Sequence, residues 1–185
     1  MQITTQYIIS QIIIIISYTC LTLTYCAKKR KIILILSFLA NFSNACAYLL
    51  LNAYTSAAMC GIYILRDIIF IIDEKINGKS SQITKKDIGI LAVVYAISII
   101  SIVLTFKGWG GLLYATASML YTYSIWQKNN KIYKFMGVPC HILVILESIY
   151  IKSIFGFILQ FIVLTSTIIG IHKEKKELSK KILSN

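Results

Sequence analysis

Apolar runs long enough to cross a lipid bilayer follow one another along almost the whole chain, separated by short polar breaks. No other feature limits the fold as strongly. A helix needs about 20 consecutive apolar residues to cross the hydrocarbon core. In that medium every backbone N–H and C=O must be satisfied within the spanning structure, so unbroken runs of this length read as helices rather than strands. Seven spans can be drawn, at 6–26, 32–51, 54–72, 88–106, 108–126, 134–150 and 153–171. The breaks at Asn52-Ala53, Lys107 and Ile151-Lys152 are so short that the helices they join run antiparallel. The one hydrophilic linker runs from Asp73 to Asp87, with Gly78, Ser80 and Ser81 at its centre. The predicted fold is an all-α membrane protein with seven transmembrane helices.

Composition narrows the classes further. With 57% hydrophobic residues and a single proline, Pro139, the chain has too little charged surface for a soluble domain of 185 residues. Its net charge of +12 could point to nucleic acid, but the basic residues stand in short clusters beside apolar runs. Such clusters flank spans on the cytoplasmic side and meet anionic headgroups. The expected partner is therefore the bilayer and not nucleic acid. Seventeen lysines against two arginines, with abundant isoleucine, resemble the bias of an AT-rich bacterial genome. Cys20, Cys26, Cys46, Cys60 and Cys140 all lie in or beside apolar runs, without the paired spacing of a metal or redox motif, and read as small packing residues. The first apolar run has no basic stretch before it and leads straight into further runs, so it reads as a span rather than a cleaved signal.

Charge sets an expected orientation. With alternating crossings, sixteen basic residues fall on one face: the Lys28–Lys31 and Lys128–Lys134 regions, the linker lysines and the C-terminal tail. Lys107 and Lys152 fall on the other, and Arg66 lies inside a span. The positive-inside rule makes the rich face cytoplasmic, with the N-terminus outside and the C-terminus inside. The basic loops at Lys28–Lys31 and Lys128–Lys131 lie about 100 residues apart, and each is followed by an apolar helix and a tight turn. That pattern suggests two three-helix units, 1–73 and 108–172, joined by a linker and linker helix over 74–107 and followed by a basic tail at 173–185.

Polar residues inside spans are costly and turn toward the bundle interior. Here they recur at helical spacing: Gln11, Tyr18, Thr22 and Tyr25; Asn41, Asn44, Tyr48 and Asn52; Thr55, Met59, Tyr63 and Arg66; Tyr114, Ser118, Tyr121 and Thr122; Ser153, Gly156, Gln160 and Thr167. The fourth span has only Tyr95, Ser98 and Ser101 and is expected to face lipid. The stripes either glue helices together or converge on a cavity for a small neutral polar solute, whose hydroxyls amides could hold and whose ring tyrosines could stack on. The candidate cavity residues are Asn41, Asn44, Tyr48, Arg66, Tyr114 and Gln160, with Arg66 at an inner gate. Arg66 alternatively snorkels to the interface, and Asp67, about 100° round the helix, need not pair with it. Glu147, His141 and Pro139 are candidates for proton handling or hinge motion, Glu147 and His141 having the plainer alternatives of headgroup contact and packing. Nothing resembles a nucleophile–base pair, a zinc set or a phosphate loop, and no lysine stands mid-helix in the last span for a retinal Schiff base. No enzyme activity, metal or cofactor is expected.

Three segments carry a family resemblance: Lys28-Lys29-Arg30-Lys31, AYLLLNAYTSAAMCGIYILRDIIF from Ala47 to Phe70, and KSIFGFILQ with GIHK between Lys152 and Lys173. The chain resembles the YgjV-type bacterial inner-membrane proteins, in which a basic loop, a helix, a small-residue turn and an arginine deep in the next helix follow one another; Arg66 takes that last place. The resemblance implies a multi-pass protein of the bacterial inner membrane and no defined activity. The helix plan is also distantly similar to the SWEET and PnuC-type carriers, although the Pro-Gln dipeptide of their relatives is missing and Pro139 has no counterpart in the first half. Together these readings lead to an expected carrier of a sugar- or riboside-like solute working by alternating access. The alternative is a non-transporting protein that acts through partners bound to its linker and tail, and a homo-oligomer fits either.

Overall fold

A computed structural model of the chain describes residues 5–77, 83–105, 109–150 and 152–183. All regular structure among them is helical: α1 (Thr5–Cys26), α2 (Arg30–Leu50), α3 (Tyr54–Asn77), α4 (Lys85–Thr105), α5 (Trp109–Trp126), α6 (Asn130–Tyr150) and α7 (Ile154–Leu183). Five of these, α1, α2, α4, α6 and α7, are long and apolar enough to cross a membrane. The other two are more polar for a reason visible in their sequences. α3 carries Arg66, Asp67, Asp73 and Glu74, and α5 is rich in Tyr, Thr and Ser. Both turn most of those side chains to the interior of the bundle, as described below.

Several boundaries differ from the sequence expectation, among them the start of α6 at Asn130. The linker is shorter, because Asp73 to Asn77 continue α3 and Lys85 to Asp87 open α4. The tail is helical as far as Leu183, since Lys, Glu and Leu favour helix and nothing after Gly170 breaks it. Gly78, Lys79, Ser80 and Ser81 of the linker, Lys107 and Ile151 lie outside the described residues, as do the side chains of Thr55, Lys180 and Lys181.

Local chemistry explains the helix ends. Thr84 and Asp87 form a reciprocal box at the start of α4: the Thr84 N–H donates to Asp87 Oδ2 at 2.6 Å, and the Asp87 N–H donates to Thr84 Oγ1 at 3.3 Å. α2 and α6 end alike. Asn52 and Lys152 adopt left-handed backbone, with φ of 56° and 57°. Around them the Asn52 N–H donates to Leu49 O and the Ala53 N–H to Tyr48 O; the Lys152 N–H donates to Ile149 O and the Ser153 N–H to Ser148 O. These bonds satisfy carbonyls that the last helical turn leaves free and reverse the chain within a few residues. The two turns coincide at an offset of 100 positions. So do the starts of α2 and α6, where Ile33 N bonds Lys29 O and Tyr133 N bonds Asn129 O, each at 3.2 Å.

Packing follows the same division. α1, α2 and α3 pack in sequence, as do α5, α6 and α7, and α1 packs on α7. The approach there is close: a Cβ on Gly170 of α7 would overlap the Tyr25 carbonyl oxygen, and one on Gly137 of α6 would stand 2.5 Å from a Tyr25 ring carbon. α3 and α5 bond directly across the bundle, through Arg66 to Thr122 and Ser118 to Tyr63. α4 touches both from outside, with Ile88, Val93, Ile97, Ile100 and Val103 exposed as a lipid-facing helix requires. Its Ser98 and Ser101 hydroxyls bond carbonyls of their own helix, which removes their cost in hydrocarbon.

The bundle has two unlike halves. Toward the basic loops it is filled by an apolar core of Tyr25, Ile33, Leu34, Phe70, Ile125, Trp126 and Tyr133, with Val94 and Val163. Toward the α2–α3 and α6–α7 turns it is hollow.

Candidate functional site

The hollow half is one cavity of about 510 Å³. Six helices supply its wall and α4 supplies none. Among its lining residues are Asn41, Asn44 and Tyr48 of α2, Arg66 of α3, Tyr114 of α5 and Gln160 of α7, the six expected from the polar stripes. His141 and Glu147 of α6 also line it, whereas Pro139 lies outside the wall, within an unbroken α6. Not every stripe member turns inward. Thr22 bonds the Tyr18 carbonyl of its own helix, and Tyr25 is buried in the core, its ring stacked on Tyr133 at 5.0 Å. Along α3 the wall runs from Ser56 to Arg66, ten residues or about 15 Å of helical rise.

The 100-residue offset reappears in the wall. Ser17 and Ala117, Tyr18 and Ser118, Asn41 and His141, Tyr48 and Ser148, Ser56 and Gly156, and Cys60 and Gln160 all line the cavity in pairs. Positions 100 residues apart therefore share one wall. The residues differ within each of these pairs, so the wall is chemically asymmetric.

Its floor is a buried ion pair. Arg66 is 3% exposed and Asp67 0%. Arg66 Nε and Nη2 both donate to Asp67 Oδ1, at 3.0 and 2.8 Å, while Asp67 Oδ2 accepts from Ser37 Oγ at 2.9 Å and Asn41 Nδ2 at 2.8 Å. Arg66 Nη1 donates to Thr122 Oγ1 at 3.2 Å, and the guanidinium lies between the Tyr63 and Tyr121 rings, 5.2 and 5.1 Å from their centroids. Arg66 thus does not snorkel. Adjacent placement on the helix did not prevent pairing either, because the long guanidinium arm folds back onto its neighbour. Asp67 and Ser37 are the residues that stripe reasoning missed. Both had a signal: a carboxylate inside an apolar helix must find donors, and Ser37 continues the Asn41–Asn44–Tyr48 stripe by one turn.

A second polar group lies on the opposite wall. His141 Nδ1 lies 3.0 Å from Gln160 Oε1, and Gln160 Nε2 donates to the Tyr18 hydroxyl at 3.3 Å. His141 Nε2 is buried without a partner, and the ring meets Tyr25 edge-on at 5.1 Å. Asn44 and the Tyr48 hydroxyl line the cavity and form no hydrogen bond among the described residues, so both are free to meet a solute.

Below the floor the passage is shut. Tyr133 donates to Thr24 at 2.7 Å beneath the Tyr25–Tyr133 stack. Nearer the basic loops Arg30 pairs with Glu74 at 2.7 Å and donates to the Trp126 carbonyl at 2.9 Å. In the other unit Lys134 pairs with Glu174 at 3.0 Å, and Asn130 donates to the Lys28 carbonyl. Glu74 and Glu174 are again 100 positions apart. Trp126 Nε1 donates to the Asp87 carbonyl, and Lys128 pairs with the Asp87 carboxylate at 2.9 Å. Arg30, Lys128 and Lys134 belong to the basic clusters seen in the sequence, yet here each is a buried, paired residue of the seal. Among the described residues no group of His, Cys, Asp or Glu could hold a metal ion.

Neither a curated protein nor a solved structure matches the chain. Neither comparison shows a similarity to SWEET or PnuC-type carriers. A family model described as a bacterial inner membrane protein does match, over residues 8–177, which takes in all or most of each helix and every residue that lines the cavity. The chain belongs to the Imp-YgjV family of bacterial inner membrane proteins.

Proposed function

We propose that the protein carries a small polar solute across the inner membrane by alternating access, without a catalytic step. The observation that supports this most is the convergence of polar side chains from six helices on one 510 Å³ cavity that is shut at one end. Stripes serving only as glue would bury their amides and hydroxyls against each other; Asn44 and Tyr48 instead face open space. The volume suits a solute of sugar or riboside size. In this reading the basic face is cytoplasmic, the N-terminus is outside and the C-terminus inside, in keeping with the uneven spread of lysines. The cavity then opens outward, and inward opening requires the units to part along the Arg30–Glu74, Lys134–Glu174 and Tyr25–Tyr133 contacts.

A second reading, action through protein partners, has one observation in its favour: α7 continues as a charged helix well past its apolar part. Uptake into proteoliposomes of labelled sugars, ribosides and amino acids separates the two. The carrier reading expects saturable uptake of one class, reduced at least about tenfold by Asn44→Ala in a variant that unfolds at the wild-type midpoint. Absence of uptake by folded protein across the panel transfers the assignment to the partner reading.

A further inference from the structure

The cavity carries an imbalance of charge. Arg66 and Glu147 are the charged side chains among its lining residues. Arg66 already has its counter-charge. Asp67 matches it at 2.8 Å, its Nε, Nη1 and Nη2 each donate to Asp67 or Thr122, and tyrosine rings flank it. Glu147 is the opposite case. It is half-buried in the wall and forms no ion pair or hydrogen bond among the described residues. Tyr18, Tyr48 and Tyr114 line the same space. A carboxylate on a low-dielectric wall attracts a cation far more strongly than it would in water, and the faces of tyrosine rings add to that attraction.

We propose that the cavity selects a monovalent organic cation, with Glu147 as its counter-charge and Tyr18, Tyr48 and Tyr114 as the aromatic walls around its body. This deepens the carrier reading, since both use the same cavity, and replaces the neutral solute expected from the amides alone. Asn44 and the Tyr48 hydroxyl remain available for the polar groups on such a cation.

Binding to the full-length protein in lipid nanodiscs tests the inference by calorimetry. The probes are choline against its uncharged isostere 3,3-dimethyl-1-butanol, and benzylammonium against benzyl alcohol. At least one cation is expected to bind about tenfold or more tightly than its isostere. Glu147→Gln, which keeps the shape of the side chain, is expected to abolish that preference, and Glu147→Asp to restore part of it. Equal binding within both pairs, no binding of either cation, or a preference that survives in folded Glu147→Gln protein overturns the proposal. Uptake of the same probes into proteoliposomes separates this from the carrier reading. Cation binding without uptake removes the carrier and leaves the site. Uptake that does not distinguish cation from isostere removes the site and leaves the carrier.

Discussion

Replacing Arg66 with methionine tests how dry the cavity floor is. The change keeps most of the side chain's apolar bulk and removes the charge, the two donors to Asp67 and the donor to Thr122. Asp67, 0% exposed, is left with Ser37 and Asn41 as neutral donors. Removing one partner of a buried pair costs about 3–5 kcal/mol, because the remaining charge is uncompensated. Asp67→Asn alone strands the guanidinium in the same way and should cost a similar amount. The double variant strands neither charge, so its loss should fall well short of the sum, by a coupling of at least about 2 kcal/mol. Equilibrium unfolding of the four proteins in mixed micelles measures each term. Single losses below about 1 kcal/mol, or simple additivity, would mean that water reaches the pair as it does at a surface. The floor would then be no floor, and the account of a cavity shut at this level would be wrong.

Three further outcomes are expected. Gly170→Ala drives a methyl group into the Tyr25 backbone where α1 meets α7, so it should destabilise by about 1–3 kcal/mol in the same unfolding assay. Lys152→Gly relieves a left-handed backbone at φ 57° and should stabilise by about 0.5–1 kcal/mol, with Asn52→Gly gaining less because asparagine tolerates that conformation. In a chain with its five cysteines replaced by alanine, Asn44→Cys should react with a membrane-impermeant thiol reagent from the face of the α2–α3 turn and not from the lysine-rich face. Labelling of equal speed from both faces would contradict the shut passage below Arg66.

Much of this architecture could be read from the chain itself, and the reason is the solvent. Hydrocarbon satisfies no backbone group, so each apolar run must be helical and must end where polar residues gather. Hence the seven helices, their antiparallel order and the lipid-facing character of α4 were legible before any coordinates. So was the recurrence at 100 residues, because two basic loops and two tight turns repeat at that spacing. Helical periodicity also placed Asn41, Asn44, Tyr48, Arg66, Tyr114 and Gln160 on inward faces, since a polar group in lipid must turn from it.

Tertiary structure alone decided what those faces meet. Periodicity gives a direction around one helix and no distance between helices. It could not tell that Arg66 folds onto Asp67 and fills the space between Tyr63 and Tyr121, or that Gln160 reaches His141. It could not tell Arg30 and Lys134, buried against Glu74 and Glu174, from lysines that only flank a span. Nor could it show that the apolar core fills one half of the bundle and leaves the other hollow. A helix's own sequence sets which residues must avoid lipid; whether they then touch each other or enclose a space depends on how close the backbones come. That is set by contacts such as Gly137 and Gly170 on Tyr25, between residues more than 100 positions apart.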